Sequence, residues 1–254
     1  MVDVSVIIPV NNEEEILEKN LGRICSSLEK SKLVGKFEII LCENGSKDST
    51  PVIIRNLSKK DQKIKPIILK KRGLGLAIKK GILNARYDIA VFYAIDIPFG
   101  ADHIVHSLKA LKSSDADIVI GSKTHHKSST VRPRERTILS KIYHWLVVLF
   151  FDVNEDTQGS LMFRKSKIQV FLPVLKASTS FFNTELIVYS KLYNLRIIEI
   201  PVFVRDMRDS RIRSFRDGTL MFFALIKCFF RYMHYKHSIY KRDYNKIFNS
   251  GKNM

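Results

Sequence analysis

Ser5-Val-Ile-Ile-Pro-Val-Asn-Asn-Glu13 and, twenty-five residues further on, Glu38-Ile-Ile-Leu-Cys-Glu-Asn-Gly-Ser-Lys-Asp48 decide how this chain folds. Each is a short β-rich apolar run that stops abruptly in carboxylate, amide, Gly and Ser. Such a run reads as a buried parallel strand delivering polar groups at its C-terminal end, which is where open α/β sheets bind ligands. Working outward, Glu13–Lys30 carries Ile16, Leu17, Leu21, Ile24 and Leu28 on one helical face. Asp48-Ser-Thr-Pro51 supplies a capping residue and a first-turn proline for a second helix. Strands over Ile64–Leu69, Ile89–Ala94 and Asp117–Gly121 alternate with helices over Leu76–Ala85 and Ala101–Lys112. This βαβ alternation predicts a mostly parallel sheet with helices on both faces.

Beyond Gly121 the pattern changes. Ser122–Arg136 is polar and basic without apolar periodicity and reads as a loop; Ile138–Phe151 reads as a helix with an unusually apolar face. A return strand follows Ser160, then a helix near Phe182–Tyr193, a strand over Arg196–Val204, a basic loop Arg205–Arg216, a final helix near Gly218–Tyr235 and a tail.

Charge is unevenly spread over the 254 residues. The formal net charge is +18, yet residues 1–50 hold six Lys/Arg against nine Asp/Glu, whereas residues 205–254 hold twelve against four. The basic end calls for an anionic partner: nucleic acid, an anionic membrane surface or a phosphorylated substrate. No recognition-helix motif or single-strand platform interleaves with the basic residues, which argues against nucleic acid. Cys25, Cys42 and Cys228 are odd in number, widely spaced and set in apolar surroundings, matching neither a disulfide framework nor a zinc site. The N-terminus lacks the basic start and long apolar core of a signal peptide, and the expectation is a cytoplasmic protein.

Ile-Pro-x-x-Asn-Glu-Glu at residues 8–14, followed by acidic-Asn-Gly-Ser-x-Asp-x-Thr at 43–50, resembles the opening of family 2 glycosyltransferases, in particular the polyprenyl-phosphate, dolichyl-phosphate mannosyltransferase-like branch. The resemblance implies a glycosyltransferase A-type, Rossmann-like fold. It also implies an inverting hexose transfer from a nucleotide-diphosphate sugar, of GDP-mannose or UDP-glucose type, to a polyprenyl phosphate. On that resemblance Pro9, Asn11, Glu13, Leu41, Glu43 and Ile95 line the nucleotide, with Asn11 standing where the family has Tyr. The loop Lys70-Lys-Arg-Gly-Leu-Gly75 lets backbone amides and basic side chains approach a phosphate, with Arg72 as the candidate contact. A dinucleotide fingerprint needs another Gly where Ile78 stands.

The family ends its fourth strand in Asp-x-Asp, which holds a divalent cation. Here the stretch is Tyr93-Ala-Ile-Asp-Ile-Pro98, and only Asp96 remains, with Pro98 in place of the family's Gln. Mg²⁺ or Mn²⁺ on Asp96 with substrate phosphates and water is one arrangement. A second is metal-independent neutralisation by Lys and Arg, Lys123 among them, and a third is a chain without catalysis. Asp156-Thr-Gln-Gly resembles the family segment at donor sugar and acceptor, giving Asp156 as a base or sugar-orienting residue and Gln158 as an acceptor contact. Phe182-Asn-Thr-Glu185 resembles the family's Phe-Asp-x-Glu, and Glu199-Ile-Pro-Val202 with Arg205 and Arg211 resembles its phosphate-contacting run. Arg205 and Arg211 are thus expected at the acceptor phosphate, and Glu185 either there or in a structural role.

Leu220–Tyr235 is mostly apolar with Lys227, Arg231 and His234 as a narrow polar stripe. Its length falls short of the roughly 18 to 20 unbroken apolar residues of a spanning helix, and an interfacial helix fits better. Trp145, Phe150 and Phe151, flanked by Arg132, Arg134, Arg136 and Lys141, form a second expected contact. The expected organisation is a catalytic domain over residues 1–217 and an amphipathic, basic membrane-surface helix and tail over 218–254, peripheral on the cytoplasmic face. The alternative is a catalytically silent scaffold binding nucleotide sugar or lipid phosphate.

Overall fold

The computed structural model describes the backbone of residues 1–131, 134–205 and 221–237, and the side chains of all of these except 134–136 and 205. Strands β1 (Val2–Val10), β2 (Val34–Asn44), β3 (Ile64–Leu69), β4 (Ile89–Phe92), β5 (Ile118–Ser122), β7 (Ser160–Arg164) and β8 (Ile197–Pro201) form one sheet in the order β3-β2-β1-β4-β7-β5-β8. All its pairings are parallel except those of β7, which runs antiparallel between β4 and β5. A second pair, β6 (Ser129–Val131) with β9 (Phe203–Arg205), is parallel.

The apolar runs are continuous because both faces of the sheet are covered. In β1, Val4, Val6, Ile8 and Val10 pack into the cluster formed with helices α1 (Leu17–Lys30), α2 (Thr50–Lys60) and α4 (His103–Ser113). Ile7 points the other way, into the cluster containing Ala77 and Ile78 of α3 (Leu74–Asn84) and Val147 and Phe151 of α5 (Arg134–Phe151). The same cluster takes in Ile168 of α6 (Lys165–Gln169), Leu186 and Tyr189 of α7 (Phe182–Leu192), and Leu225 and Cys228 of the helix α8 over residues 221–237. Strand alternation thus sorts one residue set to each layer.

Three details depart from the expected elements. Helix α1 starts at Leu17, because Glu13 and Glu14 donate their N–H groups to Thr50 Oγ1 (2.9 Å) and Asp48 Oδ2 (3.2 Å) of the neighbouring loop. The stretch read as one strand over Arg196–Val204 splits at Val202, whose N–H donates to Ser128 Oγ, so β8 stays in the main sheet and β9 leaves it. The loop after Gly121 contains β6. The expected boundary at 217/218 lies outside the described residues; α8 beyond it packs on the body through Leu225, Cys228 and Tyr232.

Candidate active site

Strand direction gathers the polar residues. The C-terminal ends of β1, β2, β3, β4, β5 and β8 and the N-terminal end of antiparallel β7 share one edge of the sheet. Strand order reverses beside β1, which lies between β2 and β4, and that reversal opens a crevice in doubly wound sheets. Across this edge follow the loop with Arg72 after β3, Glu43 on β2, Asn11 after β1, Asp96 after β4, the Asp156–Ser160 turn before β7 and Lys123 after β5.

On the β1–β2 side the loops are sewn together. Asn11 donates its side-chain N–H to Asn44 O (2.8 Å), Asn12 takes Lys47 N–H on Oδ1 (2.7 Å), and Ser46 Oγ accepts Asn12 N–H (2.9 Å). Glu43 is buried, and its Oε1 accepts Ser46 N–H, fixing the turn at Gly45. Gly45 has φ 71°, the left-handed region that Gly enters without a Cβ clash. The backbone and Cβ of Arg72 approach this turn closely, so the basic loop borders Glu43. Glu13 and Pro9 are half-buried at the same strand end, whereas the Leu41 side chain is fully buried in the core and lines no surface.

After β4 the chain folds back on itself. Tyr93 OH donates to Gly100 O (2.7 Å), Ile97 N–H to Ala94 O (3.0 Å), and Asn20 of α1 donates to Ile95 O (3.0 Å). Ile95 is buried, so its side chain packs while its carbonyl holds the turn. Ile97, immediately after Asp96, has φ 43°, an unusual conformation for a β-branched residue and a local strain of about 1–3 kcal/mol. Among the described residues no group of three or more His, Cys, Asp or Glu could hold a metal by itself. A cation at Asp96 would need the substrate's phosphates and water to complete its shell, a donor set that suits Mg²⁺ or Mn²⁺.

The Asp156 turn is equally constrained. Asp156 Oδ2 accepts Lys123 N–H (2.7 Å), Oδ1 accepts Gln158 N–H (2.8 Å), and Asp156 N–H donates to Glu199 Oε1 (2.7 Å). Lys123 reaches back to donate from Nζ to Gln158 O (2.9 Å). With both oxygens already accepting backbone N–H groups, Asp156 orients this turn and is poorly placed to act as a base. Lys123, Asp156 and Gln158 line a cavity of about 20 Å³ together with Ser140, Tyr143 and His144 of α5, room for about one water. Those α5 residues were not anticipated; their i, i+3, i+4 spacing within an apolar helix was the signal available. Tyr143 OH shares a 2.6 Å hydrogen bond with Thr184 Oγ1, and burial pushes its pKa up. A wider cleft of about 540 Å³ lies at the opposite edge of the sheet, by Lys36, Phe37, Lys63 and Arg86, away from these residues.

Two expected sites need correction. Glu185 does not face an acceptor: it is 0% exposed, its Oε2 accepts Lys176 and Ala177 N–H (2.9 and 2.7 Å), and its Oε1 takes Arg231 of α8. Arg231, with its side chain 36% exposed, therefore turns its guanidinium to Glu185 while keeping part of its surface in the stripe with Lys227 and His234. Phe151 is buried and Phe150 packs on Phe229 (5.1 Å), so the outward apolar surface of α5 consists of Ile138, Leu139, Ile142, Trp145 and Leu149. The Arg205 side chain, Arg211, Arg132 and the side chains of Arg134 and Arg136 lie outside the described residues. The three cysteines are free thiols; burial raises Cys42 and Cys228 to about 12 and half-buried Cys25 to about 11.

Comparison with known proteins agrees with this architecture. The chain is 27% identical over 219 residues to glycosyltransferase AglD of Haloferax volcanii, covering 85% of this chain and 35% of the archaeal protein. It is 29% identical over 250 residues to dolichyl-phosphate beta-glucosyltransferase of Drosophila melanogaster, covering 91% and 76% of the two chains. The match thus spans about a third of one relative and three quarters of the other. The fold is shared with glucosyl-3-phosphoglycerate synthase of Mycobacterium tuberculosis, crystallised with Mn²⁺, UDP and glucosyl-3-phosphoglycerate: TM-score 0.66, 18% identity, 91% of this chain and 80% of the other. The model of glycosyl transferase family 2 matches residues 5–172, more than half of the chain, and the protein is a member of that family with a glycosyltransferase A-type fold.

Proposed function

We propose that this protein transfers a hexose from a nucleotide-diphosphate sugar to a polyprenyl phosphate, working at the cytoplasmic face of a membrane. The observation that carries the reading is the meeting, along one sheet edge, of an amide and a carboxylate (Asn11, Glu43), cations (Arg72, Lys123) and Asp96. The dolichyl-phosphate beta-glucosyltransferases among its relatives favour dolichyl phosphate as acceptor and glucose as the sugar, for which UDP-glucose is the proposed donor. Free thiols suit a reducing compartment.

The acceptor phosphate is already anionic at neutral pH and needs no base. Its oxygen attacks the anomeric carbon as the bond from that carbon to the diphosphate oxygen breaks, inverting the configuration. Glu43 and Asn11 hold the nucleoside end, and Arg72 and Lys123 offset charge on the departing diphosphate. Asp96 is the residue that would hold Mg²⁺ or Mn²⁺, which supplies further neutralisation of that leaving group. The Asp156–Gln158 turn orients sugar and acceptor, and Arg205 and Arg211 are the proposed contacts for the lipid phosphate.

The membrane contact is the apolar surface shared by α5 and α8, where Trp145 is 60%, Leu149 62%, Phe223 61% and Phe230 69% exposed. Phe150 and Phe151 of α5 pack on Phe229 of α8, so the two helices present one surface. Exposed apolar area on this scale marks an interaction site. No helix among the described residues is long and apolar enough to cross a membrane, so the contact is interfacial.

Full-length protein on anionic vesicles, given UDP-glucose or GDP-mannose and a polyprenyl phosphate, should yield a lipid-linked hexose that chelator suppresses and Mg²⁺ or Mn²⁺ restores. Full turnover in chelator would transfer the leaving-group role to Arg72 and Lys123. Ala94 in place of the family's first metal carboxylate favours a second reading, a silent scaffold. Nucleotide binding with no transfer to any lipid phosphate would support it.

A further inference from the structure

Arg231 is the one cation of α8 that turns inward among the described residues 221–237, toward a carboxylate with no exposure of its own. Burial alone would pull its pKa down, but the hydrogen bond and charge of Glu185 outweigh that and hold it raised. Tyr189 and Cys228 flank the pair, and both are pushed up by burial, so the surroundings are apolar. An ion pair in such a place is weak evidence of stabilisation, because desolvation offsets most of the attraction. What it fixes is geometry.

The other oxygen of Glu185 shows which geometry. It accepts the N–H groups of Lys176 and Ala177, and the carbonyl of the next residue, Ser178, accepts Gly75 N–H (2.9 Å). Glycines are required at this contact: a Cβ on Gly75 would lie 2.5 Å from Ala177 O and 2.7 Å from Phe182 Cβ, and one on Gly73 would lie 3.0 Å from Ser178 O. Gly73 N–H donates in turn to Asn44 Oδ1 (2.6 Å), and Asn44 O accepts from Asn11 (2.8 Å). Lys79 of α3 adds a second tie, donating to Leu175 O (2.8 Å). Hydrogen bonds joined by one- and two-residue stretches of backbone therefore run from α8, through residues 176–178, to the loop carrying Arg72 and the strand end carrying Glu43.

We propose that the Arg231–Glu185 pair is a positioning link through which docking of α8 on a lipid surface orders the loop that receives the nucleotide diphosphate. The inference rests on the functional reading above. The link requires that α8, packed on the body through Leu225, Cys228, Tyr232 and this pair, leave and rejoin it while its apolar face is in water. Seated on a bilayer through Phe222, Phe223, Phe230 and Met233, all exposed, it keeps Arg231 on Glu185. Residues 176–178 and the Gly73–Gly75 backbone then lose less freedom when the donor binds. Donor binding and membrane docking become coupled, and the coupling is reciprocal.

The test measures the affinity of the full-length protein for UDP-glucose and for GDP-mannose, with and without anionic phosphatidylserine vesicles, alongside donor KM and kcat on those vesicles. Wild type should bind its donor about tenfold more tightly on vesicles, and the donor should tighten vesicle binding by the same factor. Arg231→Gln should lose that increase and raise donor KM about tenfold with kcat little changed, while Arg231→Lys should recover part of the effect. Because Arg231→Gln leaves a buried carboxylate unpaired, the double variant Glu185→Gln with Arg231→Gln, which removes both charges, serves as the folded reference and should also lose the coupling. Donor affinity in wild type that is indifferent to vesicles, or coupling that survives in the folded double variant, overturns the link. Wild type that binds neither donor overturns the functional reading and the link with it.

Discussion

The two sides of the sheet edge are built differently. On the β1–β2 side, Asn11, Asn12, Glu13 and Glu14 bond to Asn44, Ser46, Lys47, Asp48 and Thr50 across two loops that follow adjacent strands, and Ser46 bonds to Glu43. On the β5–β7 side, the turn at Asp156 is held by Lys123, Glu199 and Ser140, drawn from three separate segments, and Thr157 by Thr184 of a fourth. The first side is tied by its own two loops and suits the nucleotide, while the Arg72 loop that borders it is tied through Gly73–Gly75 to residues 177 and 178. The second adjoins α5 and α8, whose apolar residues face outward, and suits a ligand whose tail stays in lipid. In the proposed function these are a donor half and an acceptor half, meeting at the β1/β4 crevice.

Substitutions should separate the halves. The largest effect is expected at their junction: Asp96→Asn should lower kcat by about 10²–10³-fold, the scale for losing one charge-stabilising group, with vesicle binding intact. Glu43→Ala should instead raise donor KM, since it frees the Gly45 turn that shapes the nucleotide end. Wild-type transfer by both variants would dissolve the donor half.

Next in size is a pH effect behind the edge. His103 is buried against Ser160 (2.6 Å) and Ser107, and burial, aided by the charge of His106, lowers its pKa from 6.5 to about 4. Its neutral form is native, so stability is unaffected above pH 6.5 and falls as pH drops from 6.5 toward 4, where the unfolded chain binds the proton first. The loss should approach about 3 kcal/mol at 1.36 kcal/mol per unit, read from urea midpoints across that range. His103→Gln should flatten this dependence, and a wild-type profile already flat between pH 4 and 6.5 would contradict it.

Asp156→Asn sharpens the acceptor half. Asn offers one acceptor oxygen to two N–H donors, so stability should fall by about 1–3 kcal/mol, with transfer falling alongside. Loss of transfer with unchanged stability would make Asp156 a base after all. Smallest in stability is Trp145→Ala with Phe230→Ala, expected within about 0.5 kcal/mol of wild type because both are exposed. Recovery with anionic vesicles should nevertheless drop, and wild-type recovery would confine α5 and α8 to a role unrelated to lipid.

The same contrast explains what the sequence made legible. Strands, their order of appearance and the placing of Asn11, Glu43 and Asp96 at strand ends were readable because each motif sits at the end of its own apolar run, and Ile64–Leu69 matched to the residue. The acceptor half was not, since its contacts are set by packing between distant segments. Phe182-Asn-Thr-Glu185 leaves a structural and an acceptor role for Glu185 equally open, and only the arrival of Arg231, 46 residues later, shows it as a buried brace. Three-residue strands such as β6 carry no periodicity to read, and the α5 polar face of Ser140, Tyr143 and His144 was hidden among apolar neighbours.

The direct displacement at the meeting of the halves is tested most directly by the anomeric configuration of the product. With α-linked UDP-glucose and polyprenyl phosphate on vesicles, NMR of the extracted lipid should show glucose β-linked to the phosphate. An α-linked product, or free glucose with none on lipid, would contradict a lipid phosphate attacking the donor at this edge.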